Sequence, residues 1–474
     1  MRVPRGTGGL AFLLALTIGA GYLVGDLYDL VPGRLTLAPP PPDPDPFPVP
    51  PGAVGATEVP LALAGLDEGA PLPRAERVQD LVEELASDER LGGAGKVSVL
   101  VTDAITGQVL GEHRALTPRV PASTVKILTA FAVLEHVGPE TTLPTRVLRA
   151  SADRIVLVGG GDMMLAAGEG DPRAVDGRAG LGDLARATAN QLRLAGVDAV
   201  QLDFDDSLFT GPSLHPDWED TYLSYGYVAP VTALAVHLGA RRTDVPYPQR
   251  YPDPARHAAE VFAMALEEQG VTVDGAPRRR EAPEGAQQIA EVRSASVAEI
   301  TAHMLAHSEN TVAEVLARLA AVAAGLPGSF DGAAQVLRTT VLDAGIDASG
   351  LSPVDGSGLA ANAKLPATVL AGVLGQVARA EGDRALRELA LGLPVAALEG
   401  TLADRFHDEA GAGRVRAKTG SLPGVTSLAG YVLTADDREL VFAVMADDTG
   451  ATGQWGPRAA IDPFVTRLAA CGCS

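Results

Sequence analysis

Residues 121–138 read PASTVKILTAFAVLEHVG and predict a helix with a serine near its start. The apolar residues of this stretch recur at spacings of three and four, which is the period of a helix with one buried face. The amino end of a helix has free N–H groups and the positive end of the helix dipole, and both favour developing negative charge. Ser123 and, three residues later on the same helix face, Lys126 are therefore the first candidates for chemistry.

Strand patterns lie on both sides of this helix. KVSVLVTD (96–103) and TGQVLGEHR (106–114) predict a hairpin with Gly107 in the turn. Three further strand-like stretches and a last helix close the chain between residues 414 and 470, and helical patterns occur between the two sets of strands. A sheet with strands from both ends of the chain predicts one discontinuous domain that carries an insert.

Changes in composition divide the chain into five predicted segments. A Pro-rich stretch follows the N-terminal residues, and short strand-like pieces with Gly- and Asp-rich turns interrupt the domain. The predicted boundaries are 1–30 for a signal or membrane anchor, 31–74 for a Pro-rich linker, 75–141 for the first part of the domain, 142–250 for a mainly β insert, and 251–474 for the second part.

The N-terminal residues predict export. Residues 6–25 are uncharged and follow Arg2 and Arg5, so they could span a bilayer as a helix with a cytoplasmic N-terminus. The alternatives are a cleaved signal peptide and a buried core helix, and no A-x-A site supports cleavage. An uncleaved anchor is the preferred interpretation, and the Pro-rich run at 39–51 is interpreted as a stiff polyproline spacer.

Composition excludes one class of partner and draws attention to lysine. The chain of 474 residues has 38 Lys+Arg against 59 Asp+Glu, a formal charge of −21 that does not favour nucleic-acid binding. Hydrophobic and charged shares of 46% and 20% are typical of a globular protein. Because arginine stays protonated whereas a buried lysine can act as a base, lysines retained in an arginine-rich chain are candidates for function. The lysines are Lys96, Lys126, Lys364 and Lys418.

The first candidate motif is S-x-x-K at Ser123 and Lys126. A serine hydroxyl is a poor nucleophile until a neighbouring base takes its proton, and a desolvated neutral lysine can do so. The alternative makes Ser123 a helix N-cap and Lys126 an exposed charge.

The second candidate motif is Ser308-Glu309-Asn310, in a break between two helical patterns. A hydroxyl and a carboxamide two residues apart can relay a proton and orient a substrate amide. The alternative is that they cap the helix that begins at Thr311.

The third candidate motif is Lys418-Thr419-Gly420, on a predicted strand. Alternation places Arg414, Arg416 and Lys418 on one strand face, which would suit a substrate with a free carboxylate. Thr419 could add a hydrogen bond, and Gly420 would let backbone come close. The alternative is an exposed polar edge strand.

The order S-x-x-K, S-x-N, K-T-G resembles that of the penicillin-interacting serine D,D-peptidases and the active-site-serine β-lactamases. Among them, the chain is similar to the D-alanyl-D-alanine carboxypeptidase/endopeptidase family, the low-molecular-mass class C penicillin-binding proteins of peptidase family S13. The resemblance covers residues 75–474. Further stretches that fit are GGGD at 159–162, DFDDSLFTGP at 203–212, YVAPVTAL at 227–234, DGSGL at 355–359, LPVAALEGTL at 393–402 and AKTGSLPGVTSLAGYV at 417–432.

The resemblance implies a fold and a role for each matching residue. The fold would be an α+β penicillin-binding or β-lactamase-like transpeptidase domain of the α/β sandwich type, an antiparallel sheet flanked by helices, with an insert. Ser123 would attack the D-Ala-D-Ala carbonyl with Lys126 as general base, and Ser308 and Asn310 would lie across the cleft. The terminal carboxylate would bind at Lys418, Thr419 and Gly420, and the oxyanion hole would be the N–H groups of Ser123 and Ser421.

The resemblance also implies the partners and the location. Peptidoglycan stem peptides and β-lactam antibiotics would bind, with neither a metal ion nor an organic cofactor. The enzyme would act as a D,D-carboxypeptidase, with D,D-endopeptidase action on cross-links as a further activity, outside the cytoplasm. The insert between Lys126 and Ser308 is shorter than in well-known members, and the motifs predict no oligomeric state.

Other motifs are weaker. His303 and His307 share a helix face as zinc ligands do, but no glutamate follows the first histidine and no third ligand is evident. Ser357 does not lie in a nucleophile elbow, because Asp355 occupies the position of the first glycine. GGGD at 159–162 lacks the G-x-G-x-x-G of a dinucleotide site. The functional alternatives are a β-lactamase and a non-catalytic wall-binding protein.

Overall fold

The computed structural model describes most of the chain from residue 68 onward and a short N-terminal stretch. The described residues are Thr17, 19–24, 26–28, 30–31, 68–379, 384–407, 409–450 and 453–472. The chain divides into one unit of Met1–Leu63 and another of Ala64–Ser474.

In the first unit, the described residues form a short helical stretch around 19–24. No helix among the described residues has the length and apolar character needed to cross a membrane. The predicted anchor at 6–25 lies in large part, and the Pro-rich run at 39–51 entirely, outside the described residues. Both remain predictions.

The second unit contains both helices and strands. The α-helices are α1 (Ala75–Ala86), α2 (Lys126–His136), α3 (Leu181–Leu194), α4 (Asp220–Ser224), α5 (Pro254–Glu268), α6 (Val297–His307), α7 (Asn310–Ala323), α8 (Phe330–Asp343), α9 (Ala367–Arg379), α10 (Arg384–Gly392) and α11 (Trp455–Ala469). Short 3-10 helices are Glu89–Leu91, Ala94–Lys96, Ala122–Val125, His237–Gly239 and Gly400–Leu402.

The strands follow the same chain order. They are β1 (Val97–Asp103), β2 (Val109–His113), β3 (Thr142–Arg149), β4 (Arg154–Gly159), β5 (Asp162–Leu165), β6 (Ala199–Asp205), β7 (Leu234–Val236), β8 (Thr272–Val273), β9 (Arg278–Arg279), β10 (Gln287–Ser296), β11 (Val415–Leu422), β12 (Val425–Leu433) and β13 (Glu439–Asp447).

Strands from both ends of the chain form one antiparallel sheet in the order β11-β12-β13-β1-β2. Helices α1 and α11 pack on one face of this sheet, and α9 packs on the other. Every residue of β1 is buried, because both faces of the sheet are covered. The predicted α+β fold class is confirmed.

A second hydrophobic layer positions the candidate residues. Helix α2 lies at its centre and contacts α6, α7, α8, α9 and α10. The residues of α2 from Lys126 to Leu134 are all buried, so its mostly apolar sequence is explained by contacts around the whole helix.

The insert extends further than predicted. Its sheet has the order β10-β3-β4-β6-β8 with β9 beside β6, and β10 pairs antiparallel with β3. Helices α3 and α5 share one hydrophobic core with this sheet. The insert therefore comprises residues 142–296, including helices as well as strands, and does not end at 250. The boundary was missed because α5 and β10 join the insert through long-range pairing, which leaves no local signal.

Candidate active site

The 3-10 turn Ala122–Val125 places Ser123 directly before α2. Lys126 Nζ lies 2.9 Å from Ser123 Oγ, and the Lys126 side chain is completely buried. The N-cap of α2 is Val125, so Ser123 does not cap this helix. The interpretation of these two residues as an N-cap and a surface charge is therefore wrong.

The Lys126 amine has two further hydrogen-bond partners. Nζ donates to Asn310 Oδ1 at 2.8 Å and to the Ser357 carbonyl at 2.7 Å. Burial lowers the pKa of Lys126 to about 8, while nearby carboxylates, with Asp355 the largest, oppose that shift. Burial thus brings the titration of this amine close to physiological pH, so that a fraction of it is neutral there.

Ser308 and Asn310 lie at the junction of two helices. Ser308 adopts a left-handed conformation with φ of 55° just after α6, and Asn310 is the first residue of α7. The side chain of Glu309 accepts a hydrogen bond from Thr311 N, so Glu309 is the residue that caps α7. Asn310 Nδ2 donates to the Tyr227 carbonyl of the insert at 2.8 Å. The left-handed residue turns the chain so that both side chains reach the site.

Lys418 lies in β11 at the edge of the sheet but is completely buried. Its Nζ donates to Ser308 Oγ and to the Thr419 carbonyl, both at 2.9 Å. Burial lowers the pKa of Lys418 well below its usual value, and the charge of Lys126 lowers it further. The exposed edge-strand alternative is therefore wrong.

Of the three cationic residues that were predicted to share one strand face at the site, Lys418 alone contacts another candidate residue. Arg414 Nη1 donates to the Thr434 carbonyl at 2.6 Å, and Arg416 Nη1 donates to the Leu391 carbonyl at 3.4 Å. Neither arginine lines the cleft beside Ser123. Alternation along the strand predicts the side of the sheet on which a residue lies. It does not predict that the two arginine side chains form hydrogen bonds with carbonyl groups of neighbouring segments instead of reaching the cleft.

The remaining predicted residues, Thr419, Gly420 and Ser421, follow Lys418 along β11. Thr419 Oγ1 donates to Thr401 Oγ1 at 3.0 Å. The backbone of Gly420 passes so close to Ser123 that a Cβ on Gly420 would lie 3.2 Å from Ser123 N. Ser123, Ser308, Thr419 and Ser421 share one open cleft of about 800 Å³.

The insert supplies the opposite wall of the cleft, which is aromatic. Tyr222, Tyr225, Tyr227 and Tyr247 all line it, and the ring centroids of Tyr227 and Tyr247 lie 5.3 Å apart. The cleft thus combines hydroxyl and amide groups with aromatic surface, as is typical of ligand sites.

The sequence matches the D-Ala-D-Ala carboxypeptidase 3 (S13) family over residues 78–249 and 237–470. The chain belongs to this family. A carboxypeptidase of Mycobacterium tuberculosis is 36% identical over 434 residues, which cover 90% of this chain and 89% of that protein. Carboxypeptidase DacB of Mycolicibacterium smegmatis is 35% identical over 431 residues, which cover 90% of both proteins.

A solved structure shows the S13 fold. The crystal structure of penicillin binding protein 4 from Haemophilus influenzae matches with a TM-score of 0.69 and 19% identity. The match covers 83% of this chain and 99% of that one. The fold class implied by the three motifs is confirmed.

Gly420 of this S13 chain is expected not to tolerate a side chain. A Cβ there would lie 2.0 Å from Ser427 Oγ and 2.7 Å from the Pro121 carbonyl, which belongs to backbone. Gly420→Ala should lower the free energy of unfolding by about 1–3 kcal/mol because the strand must shift. Thermal unfolding measures this, with Gly95→Ala as the control, since a Cβ on Gly95 meets nothing within 4 Å. Equal unfolding temperatures for the two variants would contradict the close approach.

The sequence did not single out two buried carboxylates beside the S13 motifs. Glu314 and Asp355 are both completely buried and hold the turn that contains the Ser357 carbonyl. Glu314 lies on the inward side of α7, four residues after Asn310. Arg318 lies four residues further along the same helix face and is also buried, so the sequence shows only a Glu–Arg spacing of four, which is common on exposed helix faces and gives no signal of burial. DGSGL at 355–359 fits the family resemblance and is not a nucleophile elbow, but neither argument gives Asp355 a role.

The described residues contain no group of three or more His, Cys, Asp or Glu side chains that could hold a metal ion. The rings of His303 and His307 lie 4.4 Å apart, and His307 lines the S13 cleft.

Proposed function

We propose that this S13 protein is a serine D,D-carboxypeptidase that hydrolyses D-Ala-D-Ala bonds of peptidoglycan stem peptides through an acyl-enzyme on Ser123. The observation that carries the proposal is the set of three contacts of Lys126 Nζ, with Ser123 Oγ, Asn310 Oδ1 and the Ser357 carbonyl. A neutral amine has two N–H donors and one lone pair. The amide and carbonyl oxygens can only accept, so they take both donors and leave the lone pair for the Ser123 hydroxyl.

Acylation follows from this arrangement. Ser123 Oγ attacks the carbonyl carbon of the penultimate residue while its proton passes to Lys126 Nζ. The carbonyl oxygen becomes an oxyanion, which the N–H groups of Ser123 and Ser421 would stabilise. The close approach of Gly420 to Ser123 N supports this pairing, because it brings the strand carrying Ser421 beside the nucleophile.

The other candidate residues serve the leaving group. Ser308 Oγ accepts from Lys418 Nζ, so its own proton remains available for the departing amine of D-alanine. Ser308 would then take up the proton that Lys126 received from Ser123, which leaves Lys126 neutral again. Lys418 and Thr419 would bind the carboxylate of that residue. The carboxylate would favour the protonated form of Lys418 and so oppose the effect of burial on its pKa.

Hydrolysis and the related activities use the same intermediate. Water attacks the ester carbonyl while one of its protons passes to Lys126 Nζ, and Lys126 returns that proton to Ser123 Oγ as the shortened peptide leaves. A cross-link offers the same acyl group with a different amine, so D,D-endopeptidase action would need no further catalytic residue. A β-lactam would acylate Ser123 in the same way and inhibit the enzyme.

The substrate implies the location. Peptidoglycan lies outside the cytoplasm, so the second unit is proposed to be exported. Anchoring through residues 6–25 is a further proposal that rests on their apolar composition. The intact mass of the mature protein measures whether these residues are retained.

Mass spectrometry after treatment with benzylpenicillin tests the function. The expected result is one penicilloyl adduct per chain that persists for minutes, together with release of D-alanine from a peptide ending in D-Ala-D-Ala. Rapid loss of the adduct with turnover of penicillin would indicate a β-lactamase instead. A folded protein that forms no adduct and releases no D-alanine would support the non-catalytic alternative.

The acylation rate is expected to rise with pH through a midpoint near 8. Lys126 must be neutral to take the Ser123 proton, and its pKa is lowered to about 8. Roughly one-tenth of the amine is then neutral at pH 7, and each further decrease of one pH unit lowers the acylation rate about tenfold. Stopped-flow acylation by a chromogenic β-lactam between pH 5.5 and 9.5 measures the profile, with circular dichroism at each pH as the control. A flat profile across this range would contradict the role of Lys126.

A further inference from the structure

The Lys126 amine contacts a buried turn at residues 355–360. The Ser357 carbonyl of this turn accepts from Lys126 Nζ at 2.7 Å. Ser357 N and Gly356 N donate to the two carboxylate oxygens of Glu314, at 2.8 and 3.2 Å. Glu314 therefore binds the same turn whose carbonyl contacts Lys126.

Asp355 holds the other side of the turn. Its Oδ1 accepts from Gly358 N at 2.7 Å, and its Oδ2 accepts from Ala360 N and Trp218 Nε1, both at 2.8 Å. Asp355 and Glu314 together satisfy four backbone N–H groups of a turn that water does not reach. The Ser357 carbonyl is thus fixed in position without any contact between either carboxylate and Ser123.

We propose that Glu314 is a positioning residue that controls the proton affinity of Lys126. Its negative charge favours the protonated amine, and its hydrogen bonds with the backbone of the turn hold the Ser357 carbonyl in contact with Lys126 Nζ. Asp355 serves the same purpose from the other side. The consequence for catalysis rests on the function proposed above, whereas the effect on Lys126 does not.

The electrostatics of the buried cluster agree with this role. Burial and the neighbouring charge of Asp355 raise the pKa of Glu314, whereas its hydrogen bonds with Ser357 and Gly356 and the charge of Arg318 favour its ionised form. An ionised carboxylate favours the protonated amine. Burial alone would lower the pKa of Lys126 further, and the carboxylates keep it near the pH at which a general base is most effective.

The charged groups that face Lys126 come from three elements. Asp355 belongs to the turn, Glu309 is the N-cap of α7, Glu314 lies in α7, and Lys418 belongs to β11. Glu314 itself faces Asp355 and the buried cation of Arg318, which lies four residues further along α7. Glu309 differs from Glu314 because it is half-buried, lines the cleft and makes no hydrogen bond with the turn. It provides a matched control for the loss of one negative charge.

The scarcity of lysine makes a direct measurement feasible. Labelling lysine with ¹³C at Cε in the full chain places a label at only four residues, and Lys126→Arg assigns the signal of interest. Titration in the wild-type protein, Glu314→Gln and Glu309→Gln then gives the Lys126 midpoint in each. We expect Glu314→Gln to lower the midpoint by about one pH unit, and Glu309→Gln by less than half as much, since water screens its charge.

The Glu314→Gln variant also tests the hydrogen bonds between residue 314 and the turn, because glutamine has one side-chain oxygen where glutamate has two. One of the two backbone N–H groups therefore loses its acceptor. Asp355→Asn is the second variant if Glu314→Gln does not fold, and it should lower the Lys126 midpoint in the same direction. An unchanged or raised midpoint in a folded variant would overturn the proposal and leave these carboxylates a purely structural role.

Measuring acylation by benzylpenicillin as well as the Lys126 titration distinguishes a failure of this inference from a failure of the proposed function. If both hold, the acid limb of the acylation profile moves to lower pH in Glu314→Gln by the same amount as the Lys126 signal. If the midpoint of Lys126 moves but the wild-type protein forms no adduct, the positioning role stands and the proposed function fails.

Discussion

Ser123→Ala is expected to lose the penicilloyl adduct and to release D-alanine at least about 10⁴-fold more slowly than the wild-type protein. Alanine cannot form the ester, and water would have to attack the peptide with only the oxyanion donors and the binding groups assisting. Lys126 Nζ keeps its contacts with Asn310 and the Ser357 carbonyl in this variant, so the fold should persist. Intact-mass measurement and a D-alanine release assay quantify both effects.

Ser87→Ala provides the control for the loss of a hydroxyl. Ser87 is exposed at the end of α1, on the opposite face of the sheet, and its Oγ donates only to the Glu84 carbonyl. This variant should be acylated like the wild-type protein. An adduct that survives in Ser123→Ala would disprove Ser123 as the nucleophile.

Lys126→Arg is expected to lower the acylation rate by about 10²–10⁴-fold, which is the usual contribution of a general base. Arginine stays protonated in proteins, so it cannot take the Ser123 proton at any pH in the assay. The rate that remains should therefore show no pH dependence with a midpoint near 8. Rapid-quench acylation followed by mass spectrometry measures the remaining rate.

Lys96→Arg is the matched control for this substitution. Lys96 Nζ forms an exposed ion pair with Asp448 at 2.6 Å, which arginine can also make. Its acylation rate and pH profile should match those of the wild-type protein. If Lys126→Arg retained a midpoint near 8, another group would be the base.

The types of the elements around the site were predictable because their signals are local. The hairpin β1–β2, the helix after Ser123 and the three C-terminal strands follow from period and turn residues over 5 to 11 positions each. The end of the insert was not predictable, because β10 joins β3 across more than 130 residues of chain. Strand pairing at that separation depends on the register of both strands and on the core between them.

The surroundings of the lysines illustrate the same difference. The Arg414 and Arg416 side chains share the charge of Lys418, yet only Lys418 reaches Ser308. Glu314 resembles any helical glutamate in sequence, and its burial follows from the packing of α7 against the turn at 355–360. Composition indicated that the lysines were exceptional, but it did not predict what surrounds them.

The sequence by itself determined the pairing of Ser123 with Lys126, because a spacing of three residues on a helix brings two side chains together wherever that helix lies. The properties of the amine were decided by the tertiary structure. Its two other partners come from Asn310 and Ser357, which lie 184 and 231 residues away in the chain. Burial lowers the pKa of Lys126, and desolvation depends on everything packed around the amine rather than on its neighbours in sequence.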